Sequence, residues 1–189
     1  MNKEELNEKD IKKIKQEVTE TLPRCIEFLQ KEPFVDAVND VFWILPSKAV
    51  ESYPLWDNFY LSLYDSVLEW LFSTIQSETV SPEEKEKRID QSVFVCFMIY
   101  EFDKVTFYRS FKKYVAPFIV ESGSTKEQMI EAIQRKIHSV AHKKEYRNVR
   151  SLLLKYMRCL VLKLDGRKVK VIMDESLDEY DCEETEEEE

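Results

Sequence analysis

At 189 residues the chain suits one domain of ordinary size with an appendage, long enough to bury a sizeable core. Its 43% hydrophobic and 12% aromatic content excludes a disordered chain, and two glycines with six prolines leave too little turn chemistry for an all-β fold. The net charge of −9 is unevenly placed: residues 174–189 hold eleven acids and no base, while residues 131–170 hold twelve Lys and Arg against three acids, so tail and basic segment attract each other.

Taken in order, Leu6, Ile11, Ile14, Val18, Leu22, Ile26 and Leu29 recur every three to five residues, predicting an amphipathic helix interrupted or bent near Pro23. Pro33 suits the first position of a second helix carrying Phe34, Val38, Val41 and Phe42, with Pro46 limiting its extent. After a connection with two prolines, residues 55–75 predict a long helix that is apolar all round, including Trp56, Tyr60, Tyr64 and Trp70, hence central and contacted on several sides. Asp57, Asn58, Asp65 and Glu69 interrupt it and argue against a membrane span, because acids at mid-bilayer cost a few kcal/mol each. Ser81, Pro82, Glu83 and Glu84 form the clearest local signal, a cap, a first-turn proline and two acids at the positive end of a helix dipole.

That helix leads into the most aromatic stretch, residues 93–114. Phe102, Val105, Phe107, Phe111 and Tyr114 fall mostly on one broad helical face; 93–114 can be read as one helix or as two, the EFDK step being a plausible turn with Asp103 as a candidate cap. Pro117 and the polar run 121–125 mark a boundary, with Ser124 and Glu127 matching a capping box. Beyond it, Met129, Ile133, Ile137 and Val140 mark one helix, and Val149, Leu152, Leu153, Tyr156, Leu160 and Leu164 another. Residues 167–173 alternate basic and apolar, as in a short strand or extended arm. The acidic tail has too little apolar surface to offset its ordering entropy, so it is expected to be disordered.

Few residues invite chemistry. His138 and His142 are spaced four apart, as in helical zinc sites, but HSVAH lacks the glutamate of HExxH and no third ligand has a fitting spacing, so exposed histidines on a basic helix are expected and no metal. Glycines only at 123 and 166 exclude a phosphate loop of the P-loop or Rossmann kind, and no cofactor is expected. Cys25, Cys96, Cys159 and Cys182 form no CxxC pair, which argues against a zinc ribbon or disulfide scaffold and fits a reduced intracellular compartment. The first three sit in apolar periodic stretches, where a small buried side chain is the ordinary explanation. The N-terminus is charged where a signal peptide needs an apolar run. The basic helices within 131–170, with Tyr146 and Tyr156, suit either a solvated face or contact with nucleic acid in a nuclear or nucleolar assembly factor. The wealth of aromatics in 43–70 and 94–118 exceeds what a small core needs, and a groove between such helices suits the amphipathic helix of a partner.

Four segments in order resemble the BART-like domain, the all-α domain of binders of Arf-like small GTPases and of related ciliary proteins. They are CIEFLQKEPFVDAVNDVF (25–42), SYPLWDNFYLSLYDSVLEWLFSTI (52–75) with its Val67, Leu68, Glu69 step, VSPEEKEKRI (80–89) and YEFDKVTFYRSFKKY (100–114). The resemblance covers about residues 22–117; the loop 44–51 lacks the family's acidic insertion, and the basic helices and tail lie outside it. It implies a non-enzymatic adaptor, cytoplasmic or ciliary, that buries the amphipathic helix of a GTP-bound Arf-like GTPase. Phe59, Leu63, Val67, Phe102, Phe107 and Phe111 would then stand on or behind the groove, with Glu69 capping or pairing with a neighbouring helix. The expected architecture is an all-α bundle of five or six helices over 1–121, a basic helical extension over 122–166, and an arm and acidic tail over 167–189.

Overall fold

In the computed structural model, which describes residues 6–31, 33–40, 53–165 and 168–173, the first apolar stripe forms one helix, α1 (Glu8–Lys31). Asn7 starts it, its side-chain oxygen accepting the Asp10 amide at 3.0 Å. Ile14, Val18, Cys25 and Leu29 are its buried side. The helix runs through Pro23, where the sequence predicts an interruption or bend. Pro23 and Thr19, whose carbonyl forfeits its amide partner, are both exposed, so water can serve that carbonyl.

The second helix, α2 (Phe34–Asp40), opens with the Pro33 carbonyl accepting the Ala37 amide at 2.9 Å and buries Phe34, Val35, Ala37 and Val38. Its expected continuation through Val41 and Phe42 and the connection over 43–52 lie outside the described residues. The long apolar helix, α3 (Tyr53–Gln76), packs along α1 and α4 and touches α5, as its all-round apolar surface predicts. Tyr64 shows how the elements lock: its hydroxyl donates to the Val38 carbonyl at 3.3 Å, and its ring lies 6.1 Å from that of Phe102.

Helix α4 (Pro82–Phe102) is capped as its sequence signal predicts, the Ser81 hydroxyl accepting the Glu84 amide at 3.2 Å. Arg88 ties it to α3: the guanidinium lies 5.1 Å from the Trp70 ring centroid, pairs with Glu84 at 2.6 Å and donates to Gln91 at 2.9 Å. Every residue from 90 to 97 is buried, so the aromatic half of α4 is enclosed on all sides.

Asp103 then breaks the chain into two helices. Its amide donates to the Ile99 carbonyl at 3.0 Å, closing α4, and its carboxylate accepts the Thr106 amide at 2.8 Å, opening α5 (Lys104–Ser110). A π-helical turn over Phe111–Val115 follows. The break rotates the aromatic stretch: Phe107, Phe111 and Tyr114 are buried and Phe102 is half-buried, whereas Val105, expected on the same apolar face, is 70% exposed.

The chain divides into two compact units, Met1–Tyr114 and Val115–Glu189; the sequence alone suggests a boundary after residue 121. The second unit begins with α6 (Ala116–Ile119), which packs on α7 (Lys126–Ala141). Between them the Ser124 amide donates to the Glu121 carbonyl at 3.2 Å across a turn in which Gly123 takes φ +84°, open to glycine without a Cβ penalty. The capping box is shifted by one residue from the expected Ser124 and Glu127: Thr125 accepts the Gln128 amide at 3.2 Å, and the Gln128 side chain accepts the Thr125 amide at 2.8 Å. Both pairs satisfy the same motif, and α7 starting at Lys126 puts Thr125 at the cap.

A 3-10 segment, Lys144–Val149, leads into α8 (Arg150–Cys159), which buries Leu153, Tyr156 and Cys159. The helix expected to run on to Leu164 ends at Cys159. Leu160–Asp165 is instead a strand, β1, antiparallel to β2 (Lys168–Met173), so the alternating segment takes the strand, one of the two forms its pattern allows. Leu160 and Leu164 fit a helix by their spacing of four, but with Leu162 they also fit the period of two. Gly166, Arg167 and the tail from 174 lie outside the described residues. The fold is therefore an all-α helical bundle with one hairpin appended, and among the described residues no helix is long and apolar enough to cross a membrane.

Candidate partner-binding site

Of the six residues implied by the family resemblance, Phe59, Leu63, Val67, Phe107 and Phe111 are at most 2% exposed, and Phe102 is half-buried. Phe107 is a hub, its ring 5.7 Å from Phe97, 5.4 Å from Tyr100 and 5.7 Å from Phe111. Such edge and offset packing adds to burial as core cohesion. Glu69 is exposed on α3, and its charge together with that of Asp65 favours the charged form of Lys113, whose ammonium chiefly does so by donating to the Tyr114 hydroxyl at 2.6 Å.

The surface in front of this core is different in character. Asn58, Ser62, Asp65 and Ser66 recur at helical spacing on α3 and are all half-buried, a polar stripe along an otherwise apolar helix. That stripe is the floor of an open cleft of about 530 Å³. Lys15 and Thr19 of α1 form one lip, Thr106 and Arg109 of α5 the other. The Asp65 carboxylate accepts from the Ser110 hydroxyl of α5 at 2.7 Å, which holds α5 against the floor. Thr106 is fixed by Asp103, to which its hydroxyl donates at 2.7 Å. Among the described residues, the Lys15 ammonium and the Arg109 guanidinium have neither an ion pair nor a hydrogen bond. One turn before each cation stands an exposed large hydrophobic, Ile11 at 40% on α1 and Val105 at 70% on α5. These are the two exposed large hydrophobics among the described residues.

No family model, curated protein or solved structure matches this chain.

The remaining chemistry-bearing residues sit apart from the cleft. Burial pushes the Cys25 thiol up from 9.0 to about 12, and burial, reinforced by the Asp65 charge, raises Cys96 well above its ordinary value. Both thiols are held protonated at neutral pH, the behaviour of small core side chains. Burial likewise raises the Tyr64 phenol, with the neighbouring Cys25 adding to it. In the second unit His138 and His142 are exposed with ring centroids 4.1 Å apart, and a ring nitrogen of His142 meets the His138 carbonyl at 2.9 Å. Among the described residues no group of three or more His, Cys, Asp or Glu could hold a metal ion. Arg135, Lys144 and Arg147 are exposed there.

In sequence, Asn58 and Asp65 stand out only as interruptions of a hydrophobic helix. The signal for the cleft is their spacing, repeated by Ser62 and Ser66, which marks one face of α3 as wet. Lys15 and Arg109 carry no such mark, because a surface cation looks the same in sequence whether or not it faces a cleft.

Proposed function

We propose that the first unit is a non-enzymatic adaptor module that receives a helix of a partner protein on its α1–α3–α5 face. The observation that carries this reading is the cleft with, on each lip, an exposed hydrophobic side chain one turn from a cation that has no partner among the described residues. In this arrangement Phe59, Leu63, Val67, Phe107 and Phe111 stand behind the groove as its rigid base, with Phe102 beside them. Helix-in-groove recognition uses apolar anchors one turn apart over a preformed trough, and Ile11 and Val105 offer such contacts. The resemblance of residues 22–117 to the BART-like domain supports a GTP-bound Arf-like small GTPase, through its amphipathic N-terminal helix, as the first partner to test.

Titration of the full chain with GTP- and GDP-loaded Arf-like GTPases is expected to show binding to the GTP form alone. Val105→Asp, at a site with no packing to lose, should weaken it by about tenfold or more. Equal binding of both nucleotide forms, no binding, or indifference to Val105→Asp would overturn the proposal.

A second reading has its own observation. The exposed Arg135, Lys144 and Arg147 form a cationic set in the second unit suited to a nucleic-acid backbone.

A further inference from the structure

The cleft also indicates the chemistry of its occupant. Lys15 and Arg109 stand on opposite lips and lack partners among the described residues, while Asp65, half-buried in the floor, keeps one oxygen for Ser110 and has its other oxygen for a further donor. A polyphosphate or nucleic-acid backbone would bring unbroken negative charge onto Asp65, and like charges at a half-buried site repel strongly. A wholly apolar helix would take the Asp65 carboxylate out of water and offer it no donor, at the cost of a polar group buried without a new partner. What fits is negative charge at the two edges and hydrogen-bond donors along the middle.

From this we infer that the α1–α3–α5 cleft selects an acidic amphipathic helix of a partner protein. Carboxylates on its two flanks pair with Lys15 and Arg109, and a hydroxyl, amide or ammonium on its spine donates to Asp65. Ile11 and Val105, each one turn from its cation, call for an apolar residue one turn from each acid. Ser62 and Ser66, small and one turn apart, let the backbone of the incoming helix approach the floor closely. The inference uses the cleft of the proposed adaptor reading and is independent of which protein supplies the helix.

The test uses the full chain and a fluorescein-labelled alanine-based helical peptide carrying leucine and glutamate one turn apart with a serine spine, alongside versions with glutamine or lysine in place of glutamate. Fluorescence anisotropy should show the glutamate peptide binding about tenfold more tightly than the glutamine peptide, the preference shrinking with added salt. The Lys15→Glu, Arg109→Glu double variant should lose about tenfold for the glutamate peptide and gain affinity for the lysine peptide. Both positions are exposed, so the variant should fold, as a thermal melt will confirm. Ser66→Trp, which fills the floor and leaves both cations in place, should abolish binding of every peptide. Glutamate-peptide binding that survives the double variant would place acidic ligands on the basic segment 131–170 and overturn the inference, as would equal binding of the three peptides or none. If the acidic peptide binds as expected while every Arf-like GTPase fails, the GTPase reading falls and the inference stands. If a GTPase binds through Val105 while the peptides ignore charge, only the inference falls.

Discussion

Asp103 carries two helix ends on one residue, its amide closing α4 and its carboxylate opening α5. Asp103→Ala removes the cap and should cost the first unit about 1 kcal/mol in urea unfolding, whereas Asp103→Ser should keep most of it. The break it makes separates two neighbours with opposite roles. Phe107→Ala empties a site walled by four rings and should destabilise by about 3–5 kcal/mol, so it reports on folding. Val105→Asp should change stability by no more than about 0.5 kcal/mol, so it reports on binding. Burial of Cys25 leads to a pH effect whose sign is fixed. Because its folded-state pKa is raised from 9.0 to about 12, its contribution to stability is complete below pH 9 and is lost as pH climbs towards 12. The urea midpoint should fall over that window, and Cys25→Ala, though less stable at neutral pH, should fall less steeply. Parallel curves for the two proteins would refute the assignment.

At the scale of elements, the helices are legible in the sequence wherever period and cap agree, as at Ser81 with Pro82, whereas at Asp103 a cap is available but the apolar period runs on, so one helix and two fit equally. They are ambiguous where two periods or two registers fit the same residues. Leu160 and Leu164 satisfy both a helix and a strand, and the pairing of Leu160–Asp165 with Lys168–Met173, which no local period reveals, is what makes it a strand. Pro23 looks like an interruption because sequence gives no exposure, and it is exposure that lets α1 continue. The aromatic face is legible as core, but its exposed exception, Val105, depends on the rotation introduced by Asp103. At the start of α7, Ser124 with Glu127 and Thr125 with Gln128 are equal in sequence, and only the structure shows which pair forms the box. Thr125→Ala should therefore lower the stability of the second unit by about 1 kcal/mol, and Ser124→Ala should leave it nearly unchanged. Hydrogen exchange of the first-turn amides of α7 gives the readout, and the reverse order would mean that the box is in the other register.

For the whole molecule, the decisive asymmetry is electrical. The acids of residues 174–189 share a chain with the exposed Arg135, Lys144 and Arg147, so they compete with any polyanion for that surface. Removing eleven acids and no base from a chain of net charge −9 reverses its sign. If the basic set serves nucleic acid, a chain lacking 174–189 should bind DNA or RNA more tightly than the full chain. Its affinity should fall steeply with salt, since each phosphate neutralised releases a condensed counterion and contributes roughly −0.9 to the slope of log K against log salt on duplex DNA. Substituting Arg135, Lys144 and Arg147 one at a time by glutamine should make that slope shallower by about one apiece, because a phosphate that meets no cation keeps its counterion. The cleft variant Lys15→Glu, Arg109→Glu should leave the slope largely as it was, since Asp65 makes that site a poor host for a polyanion. No binding by the shortened chain at low salt, or binding that ignores salt, removes the nucleic-acid reading. The adaptor cleft would then be the interaction surface to pursue.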